Sequence, residues 1–310
     1  MRYPSAYIGL LTTSIGANIF QSNPYINEIF IVENPVLPSL FRLYKTLKKR
    51  VIDTALIFHV SQRPIIPFCH WIGAREIIGT KGLCKGLDDL LTKALLPKKE
   101  HEIARRLAIV AEADAIPESS AMELFLSDEH EQKVEYFLKE HGIPSYLPVV
   151  GLHPGAKDLF KQWSPENFVK IGKRLAEEQG CQIIVTGSHA EKSLVSKIAN
   201  AIPRAISVYG QLNIQELAAL QKRMKLLITN DTGPMHLASA VGTPLLALFG
   251  PTDPFFCGPA PNTTTRVITI APTCTPCLKK QCREPFCLLQ ISPDKVFSHA
   301  LDLLGATTAL

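Results

Sequence analysis

The chain has 310 residues, of which 46% are hydrophobic and 20% are charged, and its formal net charge is +5. This length exceeds one ordinary core and suits two domains of about 150 residues, and the mild charge argues against a dedicated nucleic-acid-binding protein. No apolar run approaches the roughly 18 residues of a transmembrane helix, and the N-terminus lacks the pattern of a secretory signal. We therefore expect a two-domain cytoplasmic protein whose partners are small anionic molecules and not nucleic acid.

The first half of the chain shows a less regular α/β pattern. Short apolar runs predict strands at 7–11, 29–32 and 54–60. A helix is predicted over 37–49, a basic loop over 95–101 and an interdomain linker over 142–146. We therefore assign residues 1–145 to an N-terminal α/β domain on the acceptor side.

From residue 146 onward, strand and helix signals alternate regularly. Apolar runs predict strands at 148–152, 182–186, 226–229 and 244–249. Ser164 is a candidate N-cap for a helix that begins at Pro165 and ends at Gly180. Strands that alternate with helices form a parallel sheet with right-handed crossovers, which predicts a second α/β domain over 146–310.

Further helices are predicted in this half from Glu191 and over 213–222 and 292–304. The last of these follows a Pro- and Cys-rich segment, and we regard it as a candidate to pack back on the N-terminal domain. Polar loops follow the strands that end near Leu152, Thr186 and Thr229. Because ligands of parallel sheets bind at the carboxyl ends of strands, these loops are expected to converge on one site.

The strongest motif is the run Asn-Asp-Thr-Gly-Pro-Met-His at 230–236, directly after a predicted strand. Thr232 and Gly233 are placed to open a helix, whose free N–H groups suit a diphosphate. A carboxylate repels a diphosphate, so Asp231 is expected to accept hydrogen bonds from a sugar hydroxyl or from loop amides. His236 is placed to donate to phosphate or sugar. Taken alone, the motif fits a capped helix with a core histidine equally well.

Five motifs in a fixed order resemble glycosyltransferase family 9. They are His-Pro-Gly-Ala at 153–156, Lys-Gln-Trp at 161–163 with Pro165 and Glu166, Gly-Ser at 187–188 with Glu191, the run at 230–236, and Leu-Phe-Gly-Pro-Thr-Asp at 248–253. The resemblance implies the α/β GT-B fold, in which two Rossmann-like parallel-sheet domains face each other across a cleft. It also implies an inverting, metal-independent transfer of heptose from ADP-heptose to the lipid A/core oligosaccharide of lipopolysaccharide, at the inner face of the cytoplasmic membrane.

The resemblance assigns donor-binding roles to seven residues. Lys161 would neutralise charge on the ADP leaving group, and Glu191 would bind the ribose hydroxyls. The apolar position beside the adenine corresponds to Leu212. The group around the sugar and the diphosphate is Asp231, Thr232, Gly233 and His236. For Lys161, the plainer alternative is a solvated lysine at a helix start.

The resemblance also points to a residue that is missing. Members of the family open with a strand, a Gly-Asp loop and a helix, and the loop aspartate is taken to deprotonate the acceptor hydroxyl. No Gly-Asp pair occurs in the sequence, and Asp53 and His59 lie in the next predicted strand. The general base is therefore not present in this chain, and slow transfer is expected. A truncated or degenerate homologue that binds an ADP-sugar with little transfer, and a GT-B enzyme for another nucleotide sugar, are the alternatives.

Four cysteines lie within 14 residues near the C-terminus, at Cys274, Cys277, Cys282 and Cys287. This spacing is compact enough for a structural zinc ion, although it departs from paired Cys-x2-Cys knuckles. Reduced thiols without a metal and redox chemistry are the alternatives. The resemblance implies that catalysis requires no cofactor.

Basic side chains form two groups in the first half of the chain: Lys45, Lys48, Lys49 and Arg50, and then Lys98, Lys99, Arg105 and Arg106. They are candidates to face the phosphorylated acceptor or the anionic inner leaflet of the membrane. A solvated helix face is the alternative.

Overall fold

The computed structural model describes residues 3–58, 63–260, 264–271, 274, 277, 282 and 286–308, with backbone only for 306–308. The chain divides into two compact units, Met1–Ser120 and Ala121–Leu310. Both units alternate strands with helices, as the sequence predicts. Within the described ranges, no helix is long and apolar enough to cross a membrane.

The N-terminal unit contains five strands and four helices in its described part. Its strands are β1 (Gly9–Thr12), β2 (Glu28–Ile31), β3 (Thr54–Leu56), β4 (Glu76–Thr80) and β5 (Lys93–Leu95). Its helices are α1 (Ser14–Phe20), α2 (Val36–Lys49), α3 (Ile65–Trp71) and α4 (Glu102–Ala111). The first three strands and α2 confirm the sequence prediction, whereas β4 and β5 were not predicted, and β5 begins before the segment expected to be a basic loop.

The strands of this unit form two separate parallel ladders among the described residues. One ladder pairs β1 with β2, and the other has the order β3-β4-β5. Neither β1 nor β3 contains a buried residue, although parallel strands are normally covered on both faces. The strand pairing of this unit is therefore interrupted, because no hydrogen-bonded ladder joins β1 to β3 among the described residues.

The C-terminal unit contains six strands and eight helices in its described part. Its strands are β6 (Val149–His153), β7 (Gln182–Gly187), β8 (Ile206–Tyr209), β9 (Leu226–Asn230), β10 (Leu245–Phe249) and β11 (Thr265–Thr269). Its helices are α5 (Asp128–Glu140), α6 (Pro165–Glu178), α7 (Lys192–Ala201), α8 (Ile214–Lys222), α9 (Gly233–Ala240), α10 (Pro254–Cys257), α11 (Phe286–Leu289) and α12 (Pro293–Thr308). The predicted capping of α6 is confirmed, because the Ser164 side chain accepts a hydrogen bond from the Asn167 amide.

The six strands of the C-terminal unit form one parallel sheet in the order β11-β10-β9-β6-β7-β8. Every residue of β6, β9 and β10 is buried. Alternate residues point into two apolar clusters on opposite faces, so that Leu246 and Leu248 enter one and Ala247 and Phe249 the other. Both faces of the sheet are therefore covered, as in a doubly wound fold.

The boundary between the units lies earlier than the predicted position after residue 145. Helix α5 packs against α8 in the C-terminal unit, where Val134 is fully buried and Lys222 contacts Glu131 at 2.6 Å. The segment expected to be a linker contains Ile143, which is 7% exposed and belongs to the same core. The sequence of α5 is highly charged and does not by itself indicate which of the two units the helix packs against.

The last helix packs within its own unit. Val296, Ala300 and Leu303 of α12 are buried in the core that α6 also enters. The Arg174 guanidinium of α6 lies 3.7 Å from the centre of the Phe297 ring and 2.8 Å from the Asp294 carboxylate. These contacts hold α12 within the C-terminal unit.

Candidate functional site

Three loops at the carboxyl edge of the C-terminal sheet bring together residues that are far apart in sequence. The loops follow β6, β9 and β10, which are neighbours in the sheet and run parallel. The Lys161 Nζ atom donates to Asp231 Oδ2 at 2.6 Å. Thr252 Oγ1 donates to the same oxygen at 2.7 Å. The expected convergence of loops is thus found for β6 and β9, and the loop after β10 joins them.

The ion pair between Lys161 and Asp231 is largely shielded from solvent. The side chains retain 22% and 10% of their exposure. Attraction between opposite charges is stronger in such a setting than between exposed groups, because water screens it less. Lys161 is therefore not a solvated lysine at a helix start, which was the alternative to a binding role. Its remaining exposure is enough for contact with a ligand.

Asn230 connects the loops around this pair. Its amide oxygen accepts from the Trp163 backbone N–H at 3.1 Å, and its amide nitrogen donates to the Pro154 carbonyl at 2.7 Å. The residue is fully buried, so both hydrogen bonds form away from water. Asn230 thereby fixes the segment that carries Lys161 beside the strand that carries Asp231. Asn230 and Thr252 both lie within the sequence motifs, but the sequence alone assigns a role to neither.

Helix α9 begins two residues after Asp231. Thr232 occupies the N-cap position in extended conformation, but its side chain makes no capping hydrogen bond. A Cβ atom added to Gly233 would meet no other atom within 4 Å, so open space lies in front of this residue. His236 is half-buried one turn into the helix. The first turn of α9 can therefore receive a ligand anion through its backbone N–H groups.

Glu191 lies against the loop that follows β6. Its carboxylate accepts hydrogen bonds from the Ser188 amide at 2.8 Å and the Ser188 hydroxyl at 2.7 Å. The Ser188 side chain in turn accepts from the Glu191 amide, which completes a capping box. A Cβ atom on Gly155 would approach Glu191 Oε1 to 2.0 Å, so any other residue at this position would require the Glu191 carboxylate to move. Leu212 lies in the loop after β8 at the same sheet edge, half-buried against the core.

His153, at the end of β6, is a buried neutral histidine. Its Nδ1 atom lies 2.9 Å from Thr186 Oγ1 of β7. Burial lowers the pKa of His153 from 6.5 to about 4, and the negative charge of Glu191 opposes that shift. The imidazole is therefore uncharged at neutral pH and supplies no positive charge to a bound phosphate.

The four clustered cysteines are free thiols that differ in burial. Cys274 is exposed, Cys277 and Cys282 are half-buried, and Cys287 is buried. Among the residues that the structure describes, no group of three or more His, Cys, Asp or Glu side chains is arranged to hold a metal ion. Structural zinc stays a prediction, which metal analysis of the purified protein would test. His59, named above beside Asp53, lies outside the described residues, and Asp53 forms an exposed ion pair with Arg75.

The basic residues of the N-terminal unit fall into two structural settings. Lys45, Lys48, Lys49 and Arg50 are exposed at the C-terminal end of α2, and Arg50 forms an ion pair with Glu28. Arg105 and Arg106 both pair with Glu102 within α4, which offsets part of their charge. The solvent-facing surface of α2 also carries Phe41, whose ring contacts that of Trp71 at a centroid distance of 5.0 Å.

Comparison with known proteins gives a consistent result. The family model for glycosyltransferase family 9 (heptosyltransferase) matches residues 45–287, well over half of the chain. The lipooligosaccharide heptosyltransferase 2 of Haemophilus influenzae is 27% identical over 286 residues, which are 86% of this chain and 80% of that protein.

Solved structures show the same fold. The Escherichia coli ADP-heptose LPS heptosyltransferase II superimposes with a TM-score of 0.80 at 22% identity, over 99% of this chain and 92% of that one. A family 9 glycosyltransferase from Veillonella parvula superimposes with a TM-score of 0.86 at 22% identity, over 97% and 89% of the two chains. The implied GT-B fold class is confirmed.

Proposed function

Because this chain belongs to glycosyltransferase family 9, we propose that it transfers heptose from ADP-heptose to the inner core of lipopolysaccharide, with inversion at the anomeric carbon and without a metal ion. The chain is a glycosyltransferase of the heptosyltransferase family by its match over residues 45–287. The donor, the acceptor and the stereochemistry are the parts of this proposal that need experiments.

The observation that carries the proposal is the group formed by Lys161, Asp231 and the start of α9. Departure of ADP from an anomeric carbon leaves negative charge on the diphosphate, and the reacting sugar gains oxocarbenium character. Fixed positive charge and backbone N–H groups stabilise such a leaving group, and removal of one donor of this kind typically costs about 3 to 4 kcal/mol. The shielded Lys161 ammonium and the open first turn at Gly233 supply both.

The remaining residues take the roles that the family resemblance implies. We assign Glu191 to the ribose hydroxyls and Leu212 to the adenine. Thr232 and Gly233 bind the diphosphate through backbone N–H groups, while His236 donates to phosphate or sugar. Their positions in loops at one sheet edge, or in the first turn of α9, support this assignment.

Calorimetry with a panel of donors tests this proposal. We expect ADP and ADP-heptose to bind, while UDP and GDP bind more weakly because Leu212 and its surroundings are assigned to adenine. Transfer to a heptose-deficient lipopolysaccharide acceptor should proceed equally well with and without EDTA. Binding of UDP-sugars in preference to ADP-heptose would instead support the alternative of a GT-B enzyme with another donor.

A second candidate function is binding of an ADP-sugar with little or no transfer. The sequence contains no Gly-Asp pair, the dipeptide that carries the general base in the family. General-base catalysis contributes about 100- to 10,000-fold to such reactions. A matched comparison would fuse a strand, a Gly-Asp loop and a helix ahead of Met1, with Gly-Asn as the control. A rate gain confined to the Gly-Asp version supports this candidate, whereas equal turnover by the 310-residue chain contradicts it.

We also propose that the end of α2 contacts the anionic inner face of the cytoplasmic membrane, where the lipid-linked acceptor lies. Phe41 and Trp71 are 59% and 47% exposed beside the cluster of Lys45, Lys48, Lys49 and Arg50. Juxtaposed aromatic and basic side chains suit a membrane interface with anionic lipid. Sedimentation with phosphatidylglycerol vesicles, with phosphatidylcholine vesicles as control, should show binding that Lys45→Glu and Lys49→Glu weaken. Equal sedimentation with both lipids would contradict the electrostatic part.

A further inference from the structure

Thr252 and Lys161 form hydrogen bonds with the same carboxylate oxygen of Asp231. Both side chains donate to Asp231 Oδ2, Lys161 from the loop after β6 and Thr252 from the loop after β10. A carboxylate oxygen can accept two such hydrogen bonds, and each fixes the carboxylate from a different direction. The function proposed above gives a role to Asp231 and Lys161 but none to Thr252.

The turn that carries Thr252 is itself held in place. A Cβ atom on Gly250 would lie 2.8 Å from Leu288 Cγ, so the turn packs closely against α11. Asp253 caps α10 by accepting a hydrogen bond from the Phe255 amide at 2.9 Å. Thr252 is thus fixed on both sides by its neighbours in the chain, and its hydroxyl has a stable position from which to hold Asp231.

Lys161 cannot remain bound to Asp231 alone when a diphosphate arrives. The diphosphate carries more negative charge than one carboxylate and offers several oxygens to the same ammonium group. If Lys161 gives up its hydrogen bond to Asp231 to reach the phosphates, Asp231 keeps only Thr252 of these two donors. A carboxylate without a fixed orientation is a poor acceptor for a particular sugar hydroxyl.

We propose that Thr252 is a positioning residue, which keeps Asp231 aligned toward the donor sugar while Lys161 moves from Asp231 to the diphosphate. In the free protein Lys161 and Thr252 share the Asp231 oxygen, and in the donor complex Thr252 holds it alone. This inference rests on the proposed function, because it takes a sugar diphosphate as the ligand. It predicts that Thr252 affects recognition of the sugar and not of the nucleotide.

The test compares the affinities of ADP and ADP-heptose for the full chain by calorimetry without acceptor. Thr252→Val keeps the size of the side chain but removes the hydroxyl, whereas Thr252→Ser retains the hydroxyl. We expect Thr252→Val to bind ADP within about twofold of wild type and ADP-heptose about tenfold more weakly, the value of a hydrogen bond to a charged group. Thr252→Ser should restore most of the preference for ADP-heptose.

Asp231→Asn probes the competition for Lys161 separately. The amide keeps an oxygen for Thr252 but no longer holds the ammonium by charge, so Lys161 is free to meet the diphosphate. We expect this variant to bind ADP more tightly than wild type, by up to about tenfold, and to lose the additional affinity for ADP-heptose. Weaker ADP binding by this folded variant would contradict the competition.

The outcomes separate this inference from the proposed function. If wild type binds neither ADP nor ADP-heptose, the proposed function is wrong and this inference falls with it. If wild type prefers ADP-heptose and Thr252→Val retains that preference, the inference about Thr252 alone is wrong. Equal weakening of both ligands in Thr252→Val, with Thr252→Ser no better, would show a merely structural role. Thermal unfolding of each variant serves as the folding control.

Discussion

The strands of the C-terminal unit form one ladder of six, whereas those of the N-terminal unit form a ladder of two and a ladder of three. Counted from the edge strand β8 to the edge strand β11, the strands of the C-terminal sheet have the order 3-2-1-4-5-6 that is typical of a doubly wound sheet. Strand β6 occupies the position numbered 1. In the same numbering, the N-terminal pair β2-β1 corresponds to positions 3 and 2, and the ladder β3-β4-β5 corresponds to positions 4, 5 and 6. The position that corresponds to β6 has no strand among the described residues.

The two units also differ in how deeply their strands are buried. The strands on either side of the interruption, β1 and β3, contain no buried residue, while β6, β9 and β10 are buried throughout. Helix α1 buries only Ala17, and Ile15 on the same helix is 66% exposed. A central strand thus completes the hydrogen bonds of two neighbours and also provides the surface on which their helices pack.

Amide hydrogen exchange should show the largest effect of this difference. Amides in β9 and β10 should exchange only when the C-terminal unit unfolds as a whole, whereas β1 and β3 should exchange by local opening. For a unit with about 5 kcal/mol of stability, protection in the two regions then differs by at least about a thousandfold. Similar protection of β1 and β9 would contradict the view that the interrupted sheet is weak.

Matched leucine substitutions test the same contrast through packing. Leu246→Ala removes a fully buried side chain of β10 and should cost about 2 to 5 kcal/mol. Leu11→Ala in β1 removes a half-buried one and should cost less than about 1 kcal/mol. In a Trp71→Phe background, Trp163 fluorescence reports denaturation of the C-terminal unit, and exchange in β2 reports the N-terminal unit. Equal costs would show that β1 is as well packed as β10.

In the C-terminal unit, burial also explains which strands could be predicted, whereas in the N-terminal unit the largely buried β4 was missed and the unburied β1 and β3 were found. Strands β6, β7, β9 and β10 were predicted because burial on both faces requires an unbroken apolar run. The edge strands β8 and β11 and the short strand β5 each contain polar residues and are not buried throughout, so they gave no such signal. The unit boundary was misplaced because the packing of α5 against α8 is decided by distant contacts.

For the site, sequence motifs identified the residues but not their partners. The Lys-Gln-Trp and Asn-Asp-Thr-Gly motifs lie about 70 residues apart, and only the neighbouring positions of β6 and β9 bring Lys161 to Asp231. The partners expected for Asp231 were a sugar hydroxyl or loop amides, and in this structure its carboxylate accepts from two side chains. Thr252 comes from the loop after β10, which local sequence signals did not connect with the site.

Nucleotide binding should depend on the C-terminal unit alone. Lys161→Ala removes the positive charge beside Asp231 and leaves a carboxylate near the diphosphate, so ADP affinity should fall about tenfold to a hundredfold. Lys157→Ala, at an exposed lysine of the same loop, should have little effect. The destabilised Leu11→Ala variant should bind ADP as wild type does. A loss of affinity in Leu11→Ala would show that the N-terminal unit contributes to this binding.

A further expected effect is a pH dependence confined to the C-terminal unit. The pKa of His153 is lowered by burial from 6.5 to about 4, so between these values the unfolded chain binds a proton that the folded chain does not. Stability therefore falls as the pH falls through this window, at a slope of at most about 1.4 kcal/mol per pH unit. We expect a loss of about 1 to 2 kcal/mol between pH 7.5 and pH 5. His153→Gln keeps a polar group beside Thr186 but does not titrate, so its urea denaturation, followed by Trp163 fluorescence, should lose this slope. His141→Gln, at an exposed position after α5, should retain it, and a wild-type slope in His153→Gln would show that other groups cause the acid sensitivity.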